Sequence, residues 1–373
     1  MAHANKPLLI APSRIPRLSG NVNRILIRAS TGEYLGDEII TTLPVLRAAD
    51  ILFPRATKTV ISGFPDVWRS TEKLKSIYVD PKKYRLETDE MTISEEYIAG
   101  IAASAAAEDM FDLAVVAPME ERVRPFQDLS ARLAGRIGIE QYVELSFKGT
   151  SRADASLSIY KAWSEITAAA FGLPLSGISG VHPEYFVSTS DPIFSIVKDS
   201  LEQRGIFLGS FFVMNSFGTH NNISRETTIE MAKTLSIYGD IPVLVMNTYD
   251  CAFGLSWRSD DVIQPYSDGI FIANSIKMIP KMYKYFLYLS KGILSVDTGL
   301  AHLGHAVGKP VFSMFEDYLT PMKWHWAHGY RSETVSEPFF CDVDFANITG
   351  EKAEEIISKM MAWLDTTMQD LPG

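Results

Sequence analysis

The chain has 373 residues, 46% hydrophobic and 21% charged, which is the balance of a soluble globular protein with length for two domains and a core in each. No apolar run reaches the roughly 18 residues of a membrane-spanning helix, and residues 8–11 are too short for a secretory core, so a cytoplasmic protein is expected. The two cysteines, Cys251 and Cys341, make neither a disulfide framework nor a zinc knuckle.

The net charge is −10, yet residues 1–32 carry Lys6, Arg14, Arg17, Arg24 and Arg28 without an acid, which leaves −15 on the rest. So acidic a body argues against nucleic acid as a partner. The basic start reads as a solvated tail, in preference to a contact with an anionic surface.

In chain order, residues 1–22 hold three prolines and little periodicity and read as an N-terminal extension. Arg24–Arg28 is the first strand. The following segment, 35–47, spaces Ile39, Leu43 and Leu46 as a helix, with Asp37 in its first turn and Pro44 expected to kink it or end its first half. Strands are predicted at 59–62, 76–79 and 112–118, and helices at 93–107, 125–134 and 157–171. These runs are too apolar for an open-faced antiparallel sheet and fit a parallel sheet covered on both sides. This first domain spans 23–172.

Residues 173–205 form the predicted linker region, rich in Gly, Pro and Ser before a helix at 194–203. A second α/β block, 206–350, begins with a strand at 211–215, the turn 216–222 and a helix from an N-cap at Ser224 to Tyr238. Strands at 241–247 and 269–273 and a helix at 282–289 lead to the stretch that carries most of the chemistry. Gly292–Val296 reads as a buried strand, Asp297-Thr298-Gly299 as a tight turn, 300–307 as a short helix ended by Gly308 and Pro310, and 311–314 as a strand. The last helix, 351–365, carries Ala353, Ile356, Ile357, Met360, Met361 and Leu364 on one face, a core stripe for which packing back on the first domain is one option.

A strand that feeds a helix through Asp-Thr-Gly aims the Thr298 hydroxyl and the first free amides at one point, which suits a diphosphate. The plainer alternative is that Asp297 or Thr298 caps the helix. Two open parallel sheets would set their ligand edges across a shared cleft, with Asp37 opposite the 297–299 turn, an arrangement suited to group transfer. His302, His305, His325 and His328 form two His-x-x-His pairs, but no acid or cysteine pattern supports a metal, and none is expected. Trp324, Trp326, Tyr330 and the acids Glu316 and Asp317 are compatible with sugar contacts and equally with packing or a solvated turn.

Two stretches together resemble glycosyltransferase family 9, the heptosyltransferase family. One is Leu35-Gly36-Asp37 running into Leu43-Pro44; the other is Ser295-Val-Asp297-Thr298-Gly299-Leu-Ala-His302-Leu with Gly308-Lys-Pro310, about 260 residues later. The resemblance implies the GT-B fold, two Rossmann-like domains with parallel sheets facing across a cleft. It implies inverting transfer of a sugar, usually heptose from ADP-heptose, to an acceptor hydroxyl, without an essential metal or cofactor.

Carried onto this chain, Asp37 matches the general base, Thr298 and Gly299 the diphosphate contacts, Asp297 the donor-sugar contact, and His302 a motif position. The family's lysine after the first donor-domain strand has no match in 216–225; Thr219, His220 and Arg225 are the candidates for its place, and Ser216 is counted among the donor contacts. Two alternatives follow: transfer of another nucleotide-activated sugar to a small metabolite, or a sugar-nucleotide-binding protein without turnover. The acceptor, whether lipopolysaccharide core, metabolite or protein, is not legible, because it is read by loops such as 63–70 and 82–90.

Overall fold

A computed structural model of the chain describes residues 8–9, 22–28, 35–69, 71–78, 99–100, 102–104, 111–116, 129–139, 141–145, 159–218, 222–246, 262–273, 280–316, 336–340, 348 and 351–370. The chain forms two compact units, Met1–Gly180 and Val181–Gly373. The expected helix over 93–107 and the loop 82–90 lie largely or wholly outside the described residues.

The first unit is built on six parallel strands: β1 (Leu8–Leu9), β2 (Arg24–Arg28), β3 (Thr57–Ser62), β4 (Leu74–Tyr78), β5 (Leu113–Val116) and β6 (Gln141–Glu144), in the order β1-β6-β5-β2-β3-β4. Two residues of the supposed N-terminal extension thus belong to the sheet, Leu8 and Leu9 pairing with Gln141 and Tyr142 at its edge. β2 is central, and the chain winds outward from it in both directions, so strand order reverses between β2 and β5. That reversal is where open α/β sheets bind ligands, beyond the strands' carboxyl ends.

Helix α1 (Leu35–Leu52) follows β2 and is buried on nearly every side, by Ile39, Ile40, Leu43, Val45, Leu46 and Ala49 among others. Pro44 does not end it. A mid-helix proline costs about 3 kcal/mol in a lost backbone bond and a clash, and burial of six or more apolar side chains at roughly 1.5–3 kcal/mol each outweighs that. Helices α2 (Leu129–Ile137), α3 (Ile159–Phe171) and the short α4 (Leu175–Ile178) follow in this unit. Arg47 Nε donates to Gly177 O at 3.1 Å and ties α1 to the end of α4, inside the stretch expected to be linker.

The second unit has seven strands: β7 (Phe212–Asn215), β8 (Val243–Met246), β9 (Ile263–Ser267), β10 (Ile270–Ala273), β11 (Gly292–Val296), β12 (Val311–Phe315) and β13 (Ser336–Phe340). Their order is β13-β12-β11-β7-β8-β10-β9, all parallel except the antiparallel edge pair β10-β9. Here the reversal falls between β7 and β11. Both edge strands, β9 with Pro265 and β13 with Pro338, escape the sequence reading, and proline explains where they stand, since it cannot donate to a ladder and is confined to edges.

Around this sheet lie α5 (Pro192–Glu202), α6 (Arg225–Gly239), α7 (Pro280–Leu289), α8 (Gly299–Ala306) and α9 (Glu351–Asp370). Ser224 caps α6 as predicted, its hydroxyl accepting from Thr227 N at 3.1 Å. The last helix sets Ala353, Ile356, Met360, Trp363 and Leu364 into the second unit's own core beside Phe212, Leu235 and Phe312. Its stripe therefore closes one face of the second unit's sheet.

Gly308 ends α8 at φ +82°, with its N–H on His305 O at 2.9 Å and Lys309 N on Gly304 O at 3.1 Å. A Cβ there would carry a left-handed strain of about 1–2 kcal/mol and meet Val181 Cγ1 at 3.0 Å. Gly308→Ala is expected to lower stability by about that amount in urea unfolding. An unchanged midpoint would show that the turn relaxes freely.

Candidate functional site

In the second unit the sequence motif falls on the reversal between β7 and β11. Thr298 occupies the N-cap position of α8, but its side chain makes no capping bond. The hydroxyl instead turns toward the sheet: Asn215 Nδ2 donates to Thr298 Oγ1 at 3.0 Å and to Ser295 Oγ at 3.1 Å. Among the described residues, no side-chain bond to the helix's opening amides is seen in consequence. A helix N-terminus without its own cap, at a sheet reversal, is a place where an anion gains backbone donors and a favourable dipole.

Asp297, Thr298 and Gly299 are partly buried at this edge. Ser216 is not presented there: its Oγ is fully buried and accepts from Thr228 Oγ1 of α6 at 2.8 Å, which braces the turn after β7. Thr219 and His220 lie outside the described residues. Arg225 Nη2 donates to the Tyr266 hydroxyl at 3.4 Å.

His302 and His305 sit one turn apart inside α8, both buried. Burial lowers the His302 pKa to about 4. His305 falls to about 3, through burial first and the neighbouring His302 second. At neutral pH both rings are uncharged. Among the described residues no group of three His, Cys, Asp or Glu is placed to hold a metal, and His325, His328, Trp324, Trp326, Tyr330 and Asp317 lie outside them.

These shifts set a pH dependence. Unfolded histidines take up protons near 6.5 while the folded ones refuse them, so stability is full above about 6.5 and falls as pH drops toward 4. At pH 5 the loss is roughly 2 kcal/mol per histidine. His305→Gln is expected to flatten this acid limb by about one proton in unfolding titrations between pH 7 and 5. An identical limb in the variant would show the ring to be solvated.

In the first unit, Asp37 and Glu38 stand side by side in the first turn of α1 with different surroundings. Asp37 is partly buried. Glu38 is fully buried and saturated: Oε1 accepts from Trp68 Nε1 at 2.7 Å and from Ser62 Oγ, and Oε2 from Gly63 N at 3.0 Å. Arg28, at the end of β2, adds an electrostatic contribution and donates from Nη1 to Ile61 O at 3.2 Å. Burial pushes the Glu38 carboxyl up, and the bonds from Ser62 and Trp68, the Arg28 charge and the Gly63 amide work against that rise. Glu38 therefore grips the loop after β3, while Asp37 beside it is only partly buried. Neither Glu38 nor Asn215 stood out in the sequence. The only signal was an acid followed by the apolar positions of a buried helix.

No protein-family profile matches the sequence, and no curated protein matches it. Solved structures do. The glycosyl transferase family 9 protein of Veillonella parvula DSM 2008 superposes at a TM-score of 0.64, 13% identical, over 94% of this chain and 98% of its own. The E. coli heptosyltransferase WaaC with ADP gives 0.59 at 15% identity over 91% and 99%. The E. coli ADP-heptose lps heptosyltransferase II gives 0.59 at 13% over 92% and 99%. With two parallel-dominated sheets in Rossmann order, the chain has the GT-B fold of these family 9 glycosyltransferases and heptosyltransferases.

Proposed function

We propose that the protein is an inverting glycosyltransferase that moves a sugar, heptose in the favoured reading, from a nucleotide-diphosphate donor to an acceptor hydroxyl. The observation that carries this is the uncapped start of α8 at the β7–β11 reversal, with the Thr298 hydroxyl held beside it by Asn215. Structures of one neighbour, WaaC, with ADP and with ADP-2-deoxy-2-fluoro heptose support adenosine diphosphate as the carrier.

In the proposed step the acceptor oxygen attacks the anomeric carbon as the bond from that carbon to the diphosphate oxygen breaks. Asp37 accepts the hydroxyl proton, and ADP leaves with the bonding electrons. The amides at 299 and 300 and the Thr298 hydroxyl stabilise charge growing on the leaving phosphate. Asp297 contacts the donor sugar, and neutral His302 is counted among the donor contacts. Metal independence and a cytoplasmic location belong to the proposal, the first from the family resemblance and the second from the sequence's composition. No described helix is long and apolar enough to cross a membrane.

The test is calorimetric titration of the wild-type chain with ADP, UDP, GDP and their sugars in EDTA, repeated with Thr298→Ala. ADP binding that weakens about ten-fold or more in the variant is the expected result, since one hydrogen bond to a charged group carries that much. Preference for another nucleotide would redirect the donor. No binding at all would leave only the fold. The missing lysine in 216–225 favours one second reading, a binding protein without turnover, which predicts ADP-sugar binding with no transfer or donor consumption.

A further inference from the structure

We propose that Asn215 is a positioning residue that sets the direction of the Thr298 hydroxyl proton, making Thr298 an obligatory donor to the leaving diphosphate. The proposal rests on the nucleotide-diphosphate reading above and adds a residue to it. Asn215 ends β7, the central strand, and its side chain is fully buried. Nδ2 reaches both Thr298 Oγ1 at 3.0 Å and Ser295 Oγ at 3.1 Å.

The proton bookkeeping then leaves little freedom. Ser295 donates its single proton to Val296 O at 2.8 Å, so toward Asn215 and Thr298 its oxygen only accepts. Thr298 Oγ1 accepts inward from Asn215. Its own proton has one inward alternative, the Ser295 oxygen at 3.2 Å, which already accepts from Asn215. A phosphate oxygen, fully charged, is the stronger acceptor and draws that proton outward. The arrangement leaves Asn215 Oδ1 buried with no partner among the described residues. A buried orphan acceptor is unfavourable and uncommon, and here it accompanies an amide whose donor side is committed to the site.

The same side chain turned over would accept from Thr298 and hold its proton inward, which is the competing arrangement. A double-mutant cycle in ADP affinity separates the two. If Asn215 orients Thr298, Asn215→Ala and Asn215→Ser each weaken ADP binding about ten-fold, and neither adds to the loss already present in Thr298→Ala. Asn215→Asp, whose carboxylate accepts the Thr298 proton, weakens binding further than Asn215→Ala.

Unchanged or tighter ADP binding in both Asn215→Ala and Asn215→Ser overturns the proposal, as does full additivity with Thr298→Ala, which a merely structural role would produce. Wild-type binding retained in Asn215→Asp overturns it as well. The cycle is read only on variants whose circular dichroism and melting show a folded chain, which is why two truncations are used. Failure of the wild-type chain to bind ADP overturns the donor reading and this proposal together; ADP binding without coupling overturns only this one.

Discussion

Asp37→Asn is expected to lower kcat for sugar transfer by about 10²–10⁴, the usual contribution of a positioned general base, while ADP affinity stays within two-fold. A hydroxyl is too weak a nucleophile near neutral pH without a group to take its proton. Asp37 is the acid at the β2 edge with part of its surface open. Its neighbour cannot substitute, because both Glu38 oxygens are occupied by the Ser62 hydroxyl, the Trp68 indole and the Gly63 amide in a fully buried site. Asparagine keeps the shape and the hydrogen-bonding edge and removes only the basicity. As a first-turn acid Asp37 adds about 0.3–1 kcal/mol through the helix dipole, which asparagine gives up. Steady-state transfer assays beside calorimetry check both halves: turnover within a few-fold of wild type would remove Asp37 from the base position, and lost ADP binding would reassign it to donor contact.

The second large effect is on stability. Glu38→Ala removes the acceptor of three donors, the Ser62 hydroxyl, the Trp68 indole and the Gly63 amide, and at about 1–3 kcal/mol for each donor left unsatisfied the loss is at least about 3 kcal/mol. A fall in the first unit's melting temperature of roughly 10 °C is expected at pH 7. Glu38→Gln, which keeps one acceptor oxygen, should lose less. Because burial raises the Glu38 pKa, the folded state holds a proton that the unfolded chain has released, so this group's contribution falls as pH rises above about 4.5 toward the raised value. Glu38→Gln should lack that falling limb. A Glu38→Ala melting temperature within 2 °C of wild type would mean that water replaces the carboxylate and that the loop after β3 is not anchored by it.

Much of the fold was legible because it depends on local periodicity. The runs at Arg24–Arg28, Gly292–Val296 and Val311–Phe315 are short, apolar and bounded by turn residues, and they form parallel strands. Ser224 read as a cap and is one. The misreadings share a cause: each element was decided by a partner remote in sequence. Leu8–Leu9 is a strand because β6, some 130 residues later, offers an unpaired edge. β9 and β13 contain prolines that argue against a strand until their edge positions are known.

The site divides in the same way. Sequence by itself determined the α/β class, the strand-turn-helix at Asp297-Thr298-Gly299 and an acid in the first turn of the helix after β2, since these follow from spacing within a dozen residues. Only the tertiary structure decided what Thr298 does. A threonine before a helix normally caps it, and here Asn215, 83 residues earlier, turns the hydroxyl aside and leaves the amides open. It also decided how two adjacent acids differ, because Glu38 is buried against Ser62, Gly63 and Trp68 while Asp37 keeps part of its surface open. Hydrogen-bond direction and burial depend on which side chains the fold brings together, and no local pattern records that.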